Sequence, residues 1–286
     1  MNIINLLEDS YLQEHKERRK STSWHPSGVS ECVRKLYYKR TNTEESDPIE
    51  AGALMKMAFG TALHEDFQKR LTKELEKLGC INIQSEYEIT HNDLSLGQDP
   101  IHGYIDMVWK DKTEWVGCEF KTSYGRGVVD VKKNGPKKEH LEQIFLYLEL
   151  ANVHFSRFYL VYVARDNNYR TEFLLDQRPV SRNLTWCCNG TPVRIRLADL
   201  MNRFIDVKKC VDAKTVPDRP YITAIKQGQL VRQFVKLGHT YKSDWQCSYC
   251  NYQTHCWKDE VKKYEMGDNS ERFKESISGR DDSNAC

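Results

Sequence analysis

Gly103-Tyr104-Ile105-Asp106-Met107-Val108-Trp109-Lys110-Asp111-Lys112-Thr113-Glu114-Trp115-Val116-Gly117-Cys118-Glu119-Phe120-Lys121 is the stretch on which the fold turns. Tyr104 to Trp109 and Glu114 to Thr122 are rich in β-branched and aromatic residues, and they flank Lys112-Thr113. That pattern predicts an antiparallel hairpin with a two-residue turn. With Asp111 opposite Glu114, counting outward sets Asp106 directly across from Glu119, and directly opposed residues share a face. Alternation adds Lys121 to that face and turns Phe120 and Ile105 the other way, into a core. Two carboxylates and an ammonium then converge. Buried charges cost heavily unless they are paired or hold a metal. Magnesium and manganese take hard oxygen ligands, commonly one or two carboxylates with waters and substrate phosphate. An isolated acidic-x-Lys triplet also fits an ordinary solvated Glu–Lys pair, so its meaning depends on the rest of the chain.

The 286 residues, 39% hydrophobic and 11% aromatic, can bury one substantial core or two small ones. No apolar run approaches the roughly 20 residues needed to span a bilayer. Glu8 and Asp9 interrupt any signal-peptide h-region, so a soluble, cytoplasmic protein is expected, with no membrane partner. In that compartment the ten cysteines are thiols or metal ligands rather than disulfides. The net charge of +2 excludes a histone-like coat. Local basic clusters remain at Lys16, Arg18, Arg19 and Lys20, at Arg34, Lys35, Lys39 and Arg40, and at Lys132, Lys133, Lys137 and Lys138. The last follows the triplet closely, where Lys132 and Lys133 suit phosphate contacts.

Periodicity predicts a helix from Ile4 to Arg19 and a long amphipathic helix through Leu54, Leu63, Phe67, Leu71 and Leu78, ending at Gly79. Strands follow at Ile83 to Ile89 and in the hairpin, then a helix near Lys138 to Asn152 and a strand at Arg157 to Ala164. Asp166-Asn167-Asn168 turns the chain into a strand at Tyr169 to Leu175, and Val193 to Val211 reads as a helix. Residues 214–240 carry scattered Pro and Gly, and residues 265–286 are polar enough to be a disordered tail.

Two helical features bear on the hairpin. His64 closes Gly60-Thr61-Ala62-Leu63-His64 on the long helix, where a neutral imidazole can complete a metal site or lie idle at the surface. Gln143 and Tyr147 share one helix face at i, i+4 while Ile144, Phe145 and Leu148 serve the core. The cysteine spacing is more specific. Cys247, Cys250 and Cys256 form C-x-x-C-x5-C, and Cys32 is the best candidate for a fourth ligand. Such a set suits zinc or an iron–sulfur cluster, and a zinc knuckle using His255 or His239 is the alternative. Cys80, Cys118, Cys187, Cys188, Cys210 and Cys286 lack comparable spacing and read as core or free thiols.

Together these elements resemble the RecB-type nucleases of the PD-(D/E)XK superfamily, in the iron–sulfur branch that includes AddB and the CRISPR-associated stand-alone exonucleases. The resemblance runs from Cys32 to Cys256 and takes in His64, Asp106, Glu119-Phe120-Lys121, Gln143-x-x-x-Tyr147 and the split cysteines. Ile105 stands where the superfamily name has proline. The resemblance implies an α/β fold: a restriction-endonuclease-like core with a mixed central sheet flanked by helices, and a cluster joining the N- and C-terminal segments. It divides the chain into an N-terminal helical segment at 1–50, a nuclease core at 51–176, a helical or irregular insertion at 177–240, a cysteine segment at 241–264 and the tail.

By the same resemblance, His64, Asp106, Glu119 and the carbonyl of Phe120 would bind Mg2+ or Mn2+, with Asp106, Glu119 and Lys121 catalytic. Gln143 and Tyr147 would line a DNA channel, and Cys32, Cys247, Cys250 and Cys256 would hold a 4Fe-4S cluster. The implied activity is metal-dependent exonucleolytic hydrolysis of DNA, chiefly at single-stranded ends. The settings would be recombination, viral genome processing in a host cytoplasm, or CRISPR spacer acquisition, alongside recombination, replication or CRISPR-adaptation proteins and compatible with an oligomer. The chain holds no Walker A sequence and so no ATP motor of that kind. Two other readings use the same residues: a binding scaffold of this fold with weak or absent cleavage, and a zinc-binding DNA module.

Overall fold

The computed structural model describes residues 2–17, 21–180, 183–221, 225–226, 229–230 and 244–265. Two units divide the chain: Met1–Thr41 with Ile49–Pro217, and Asn42–Pro48 with Asp218–Cys286. Arg18, Arg19 and Lys20 of the first basic cluster, His239, Cys286 and the tail beyond residue 265 lie outside the described residues.

In the first unit, helices α1 (Ile3–Glu17), α2 (Val33–Arg40) and α3 (Ala51–Lys77) precede strands β1 (Ile81–His91), β2 (Ile101–Asp111) and β3 (Glu114–Ser123). Helices α4 (Gly125–Asn134) and α5 (Lys138–Leu150) lead to β4 (Phe155–Ala164). Then come β5 (Arg170–Val180), β6 (Asn183–Cys188), the short β7 (Thr191–Pro192) and α6 (Leu197–Asp212). Strands β1 to β7 form one seven-stranded sheet in chain order. All neighbours are antiparallel except β3 and β4. A parallel pair needs a long crossover, which α4 and α5 supply. The result is a mixed α/β fold. No described helix is long and apolar enough to cross a membrane.

The hairpin closes where the alternation predicts. Asp111 pairs with Glu114, and the ladder continues to Met107 with Cys118. Lys112 takes φ of 57°, as tight hairpin turns demand. The ladder stops there, so Asp106 and Glu119 are not the ladder partners that counting predicts. Instead the Asp106 carboxylate accepts the Phe120 amide at 2.6 Å. A buried N–H must find an acceptor, and here a side chain takes the place of the neighbouring strand.

The two sheet faces have different cores. Toward α3, Leu75 packs with Met107, Trp109, Val116, Cys118 and Phe120, joined by Phe67 and Leu71. Ile105 is fully buried. On the α5 side, Phe158 lies against Gly117, where an added Cβ would come within 2.4 Å of its ring. Helix α5 buries residues on nearly every side, from Glu142 to Leu150, because the turn Pro26–Gly28, α6 and β1 all pack against it.

Residues 177–217 depart from the expected insertion. Strand β5 runs on to Val180, where it pairs with Asn183 of β6, and α6 packs against α2 and α5. Those residues belong to the first unit. The strand expected at Tyr169 to Leu175 extends to Val180; Pro179 pairs with Leu184 near its end, where a missing N–H is tolerated. The helix expected from Val193 begins at Leu197. Helix α4 was not expected, because Gly125 and Gly127 sit in its first turn and glycine opposes helix formation.

The second unit contains the pair β8 (Ile225–Lys226) and β9 (Gln229–Leu230), the short α7 (Trp245–Ser248) and α8 (Gln253–Glu265). Asp47 anchors it: its oxygens accept the Thr254 amide at 2.7 Å and hydroxyl at 2.8 Å, and its own amide donates to the Asn251 carbonyl. A carboxylate on the first amides of a helix caps it and complements its dipole. Tyr252 and Trp257 are buried here, with the Arg219 guanidinium 4.5 Å from the Trp257 ring centre.

Gly117 gives a direct check of the α5 face. Gly117→Ala should destabilise the protein by about 2 kcal/mol, since a side chain forced into a filled core displaces its neighbour. Urea unfolding reads this as a lower midpoint with an unchanged slope.

Candidate functional site

Asp106, Glu119 and Lys121 come from the hairpin, His64 from α3, and Gln143 and Tyr147 from α5, all within the first unit. Each helix reaches a different oxygen. His64 Nδ1 lies 3.4 Å from Asp106 Oδ1, while Oδ2 of the same carboxylate holds the Phe120 amide. One turn beyond His64, Gln68 donates to the Asp106 carbonyl at 3.1 Å and to Glu86 Oε1 at 2.6 Å. The sequence reading missed Gln68, although its i, i+4 spacing from His64 was there to find it.

On the α5 side a chain of hydrogen bonds converges on Glu119. Lys121 Nζ donates to Glu119 Oε1 and to Gln143 Oε1, both at 2.8 Å. Gln143 Nε2 donates to Glu119 Oε1 at 2.9 Å and to the Tyr147 hydroxyl at 2.6 Å. Tyr147 in turn donates to the Tyr104 carbonyl at 2.8 Å. These bonds occupy both ends of the Gln143 amide.

Tyr147 and Gln143 are 3% and 5% exposed, and the Tyr147 ring stacks on Phe158. The two residues expected to line a DNA channel are thus buried against the candidate site, where Gln143 bonds to Glu119 and Lys121 and Tyr147 bonds to Gln143. Sequence spacing placed them on one face but could not say what covers it. Lys132 and Lys133 lie exposed in the last turn of α4.

Glu119 is 4% exposed, and its second oxygen, Oε2, is buried with no hydrogen-bond partner. Burial, reinforced by Asp106 and opposed by Lys121, pushes its carboxyl up to about 7. For His64 burial pulls downward, but the hydrogen bond to Asp106 and the charges of Asp106 and Glu119 outweigh it and raise the imidazole above its usual value. Both groups thus bind protons more readily than when solvated. A hard cation against Oε2 would reverse that tendency and satisfy the orphaned lone pairs. The oxygens of Asp106 and Glu119 and the Phe120 carbonyl suit Mg2+ or Mn2+, with His64 as a further donor.

Among the described residues no group of three or more His, Cys, Asp or Glu side chains is gathered at metal-ligand spacing. Magnesium does not need a closed protein cage, since it keeps waters and takes substrate phosphate. Of the cysteines, Cys32 stands at the N-cap of α2, while Cys247 lies in α7, Cys250 just after it and Cys256 in α8. Cys250 Sγ accepts the Tyr252 amide at 3.4 Å, the kind of bond that stabilises a thiolate. Cys118, Cys187 and Cys188 are buried and Cys80 and Cys210 partly so. Burial pushes the Cys118 thiol well up, which makes it inert.

No family model and no curated protein matches the chain. Eleven solved chains match it. One, described as "Crystal structure of SSO0001", is 17% identical over 89% of this chain and 95% of that one, with a TM-score of 0.49.

The raised carboxyl has a measurable consequence. A folded-state value near 7 against an unfolded value near 4.5 means that the Glu119 contribution is fully present at pH 4 and lost as pH rises through 7. His64 acts with the same sign. Metal-free protein should therefore lose stability between pH 5 and pH 8. Glu119→Gln should recover about 2 kcal/mol at pH 8 and almost nothing at pH 4. Thermal unfolding across that range, with and without Mn2+, checks it: Mn2+ should stabilise the wild type at pH 8 more than the Gln variant.

Proposed function

We propose that this protein is a metal-dependent nuclease that hydrolyses DNA phosphodiester bonds, chiefly at single-stranded ends. The observation that carries the proposal is the buried Glu119 carboxylate, with one oxygen held by Lys121 and Gln143 and the other unpartnered, close enough to the Asp106–His64 pair for their charges to act on one another. A purely structural ion pair has no need of an orphaned oxygen. The family resemblance assigns these same side chains to a PD-(D/E)XK centre.

Asp106, Glu119, the Phe120 carbonyl and His64 would hold Mg2+ or Mn2+. When bound, the cation would neutralise charge on the scissile phosphate and make a coordinated water more acidic. Lys121 would orient the attacking water: its ammonium is anchored at two points, so its direction is set before substrate arrives. Gln143 keeps Lys121 and Glu119 in register, and Tyr147 fixes Gln143. Attack in line with the leaving 3′-oxygen would then give a 5′-phosphorylated product. Exposed Lys132 and Lys133 would add phosphate contacts.

The cysteines extend the proposal. Cys32, Cys247, Cys250 and Cys256 supply four soft thiolates, a donor set that suits a 4Fe-4S cluster. Such a cluster would serve the fold rather than the hydrolysis. We place the activity in the cytoplasm, at DNA ends processed in recombination, viral genome maturation or CRISPR spacer acquisition.

End-labelled single-stranded and duplex DNA incubated with Mn2+ tests the chemistry. Wild-type protein should degrade it, with Asp106→Ala and Lys121→Ala each at least about a hundredfold slower; equal rates in all three would overturn the site. Anaerobic purification tests the cysteines. Iron and acid-labile sulfide at about four each per chain are expected, whereas colourless protein with stoichiometric zinc would replace the cluster by a zinc site.

A further inference from the structure

Three residues beyond Lys121 the chain leaves β3 at Tyr124, whose side chain is 50% exposed. At a strand rise of roughly 3.3 Å per residue, the two positions are about 10 Å apart. A single exposed tyrosine means little. This one is already paired: the Arg165 guanidinium sits 5.2 Å from its ring centre. Arg165 is itself tethered, its amide donating to the Ser123 carbonyl at 2.8 Å and its Nη1 to the Lys56 carbonyl at 2.6 Å. Its Nε is buried with no hydrogen-bond partner.

The loop beneath is interlocked as well. The Gly125 amide donates to Asp166 Oδ1 at 2.7 Å, and a Cβ on Gly125 would meet the Asn167 side chain at 1.8 Å. A side chain at Gly125 would push aside the Asn167 amide, whose Oδ1 accepts the Tyr169 N–H. The Tyr124 ring is thus half exposed with a guanidinium over it, on a loop held by several hydrogen bonds.

The same turn of α3 serves both this platform and the candidate site. Gly60 meets Thr122 Oγ1, which would lie 3.0 Å from a Cβ, while His64 reaches Asp106. The surroundings are cationic: Lys56 and Arg126 are exposed. Asp166, the carboxylate of the supporting loop, is engaged by the Gly125 amide.

We propose that Tyr124, braced by Arg165, is a stacking platform for one unpaired nucleobase of the strand whose backbone enters the Asp106–Glu119–Lys121 site. It rests on the nuclease reading and adds a specificity-determining residue to it. An aromatic face flanked by cations fits a base with its phosphates on either side. A base locked in a duplex keeps both faces stacked on its neighbours, so the platform selects frayed or single-stranded ends. Tyr124 contacts substrate and takes no part in the bond-breaking step.

The test uses full-length protein and a short single-stranded oligonucleotide with 2-aminopurine as a stacking reporter. In EDTA, wild-type protein should quench the reporter, Tyr124→Ala should lose that quenching, and Tyr124→Trp should restore it. With Mn2+, Tyr124→Ala should raise KM for single-stranded substrate about tenfold and change kcat less than twofold, with Tyr124→Trp returning KM toward wild type. A Tyr124→Ala protein with wild-type quenching and KM would overturn the platform. Quenching that depends on Tyr124, in a protein that degrades no DNA, would retain the platform and overturn the nuclease reading instead.

Discussion

A carboxylate buried at 4% exposure with one unpartnered oxygen is the constraint on which the rest of this structure depends. Taking a carboxylate out of water costs several kcal/mol unless its lone pairs are satisfied. The fold satisfies one of the two oxygens. Lys121 supplies opposite charge and Gln143 a second donor, both on Oε1, while Oε2 has no hydrogen-bond partner. The neighbouring arrangements follow from that imbalance: β2 and β3 pair only as far as Met107 and Cys118, and α3 brings an imidazole to Asp106. Left to itself such a carboxyl retains its proton near neutrality; with a cation it would not.

Helix α5 carries the other half of the design. A helix buried almost all round has little reason to hold a glutamine and a tyrosine in its middle unless both are satisfied. Here each is, in one line from the Tyr104 carbonyl through Tyr147 and Gln143 to Glu119 and Lys121. The Gln143 amide is pinned through its oxygen and its nitrogen, so it offers both a donor and an acceptor in fixed directions. Gly117 plays a complementary part, admitting Phe158 against the sheet where any side chain would collide. Phe158 then supports the Tyr147 ring. Polar order in the site therefore rests on apolar packing two residues away along β3.

The second unit shows a comparable economy around its cysteines. The short segment Asn42–Pro48 is grouped with the C-terminal residues, and its Asp47 caps α8 through the Thr254 amide. Arg219 adds bonds to the Cys256 carbonyl at 3.1 and 2.5 Å and lies over Trp257. Three cysteines thus stand on a backbone organised from residues far away in the chain. Their spacing was legible in the sequence. The anchors were not, because a lone Asp and a lone Arg carry no pattern.

What the sequence determined by itself is local and periodic. Alternation in the hairpin specified its turn, its register near the tip and the face that Asp106, Glu119 and Lys121 occupy, and the 3.6-residue period located α3 and α5. Strand and helix geometry repeat over a few residues, so a few residues suffice to read them. Tertiary structure decided the rest. It buried Tyr147 against Gln143, drew residues 183–212 into the main unit, placed Gln68 under Asp106 and raised the Glu119 carboxyl. Each of these depends on which distant side chain comes to lie within about 3 Å or removes the last water. Tyr124 belongs to both levels: its position after β3 is plain in the sequence, while its pairing with Arg165 exists only because β3 and β4 lie side by side.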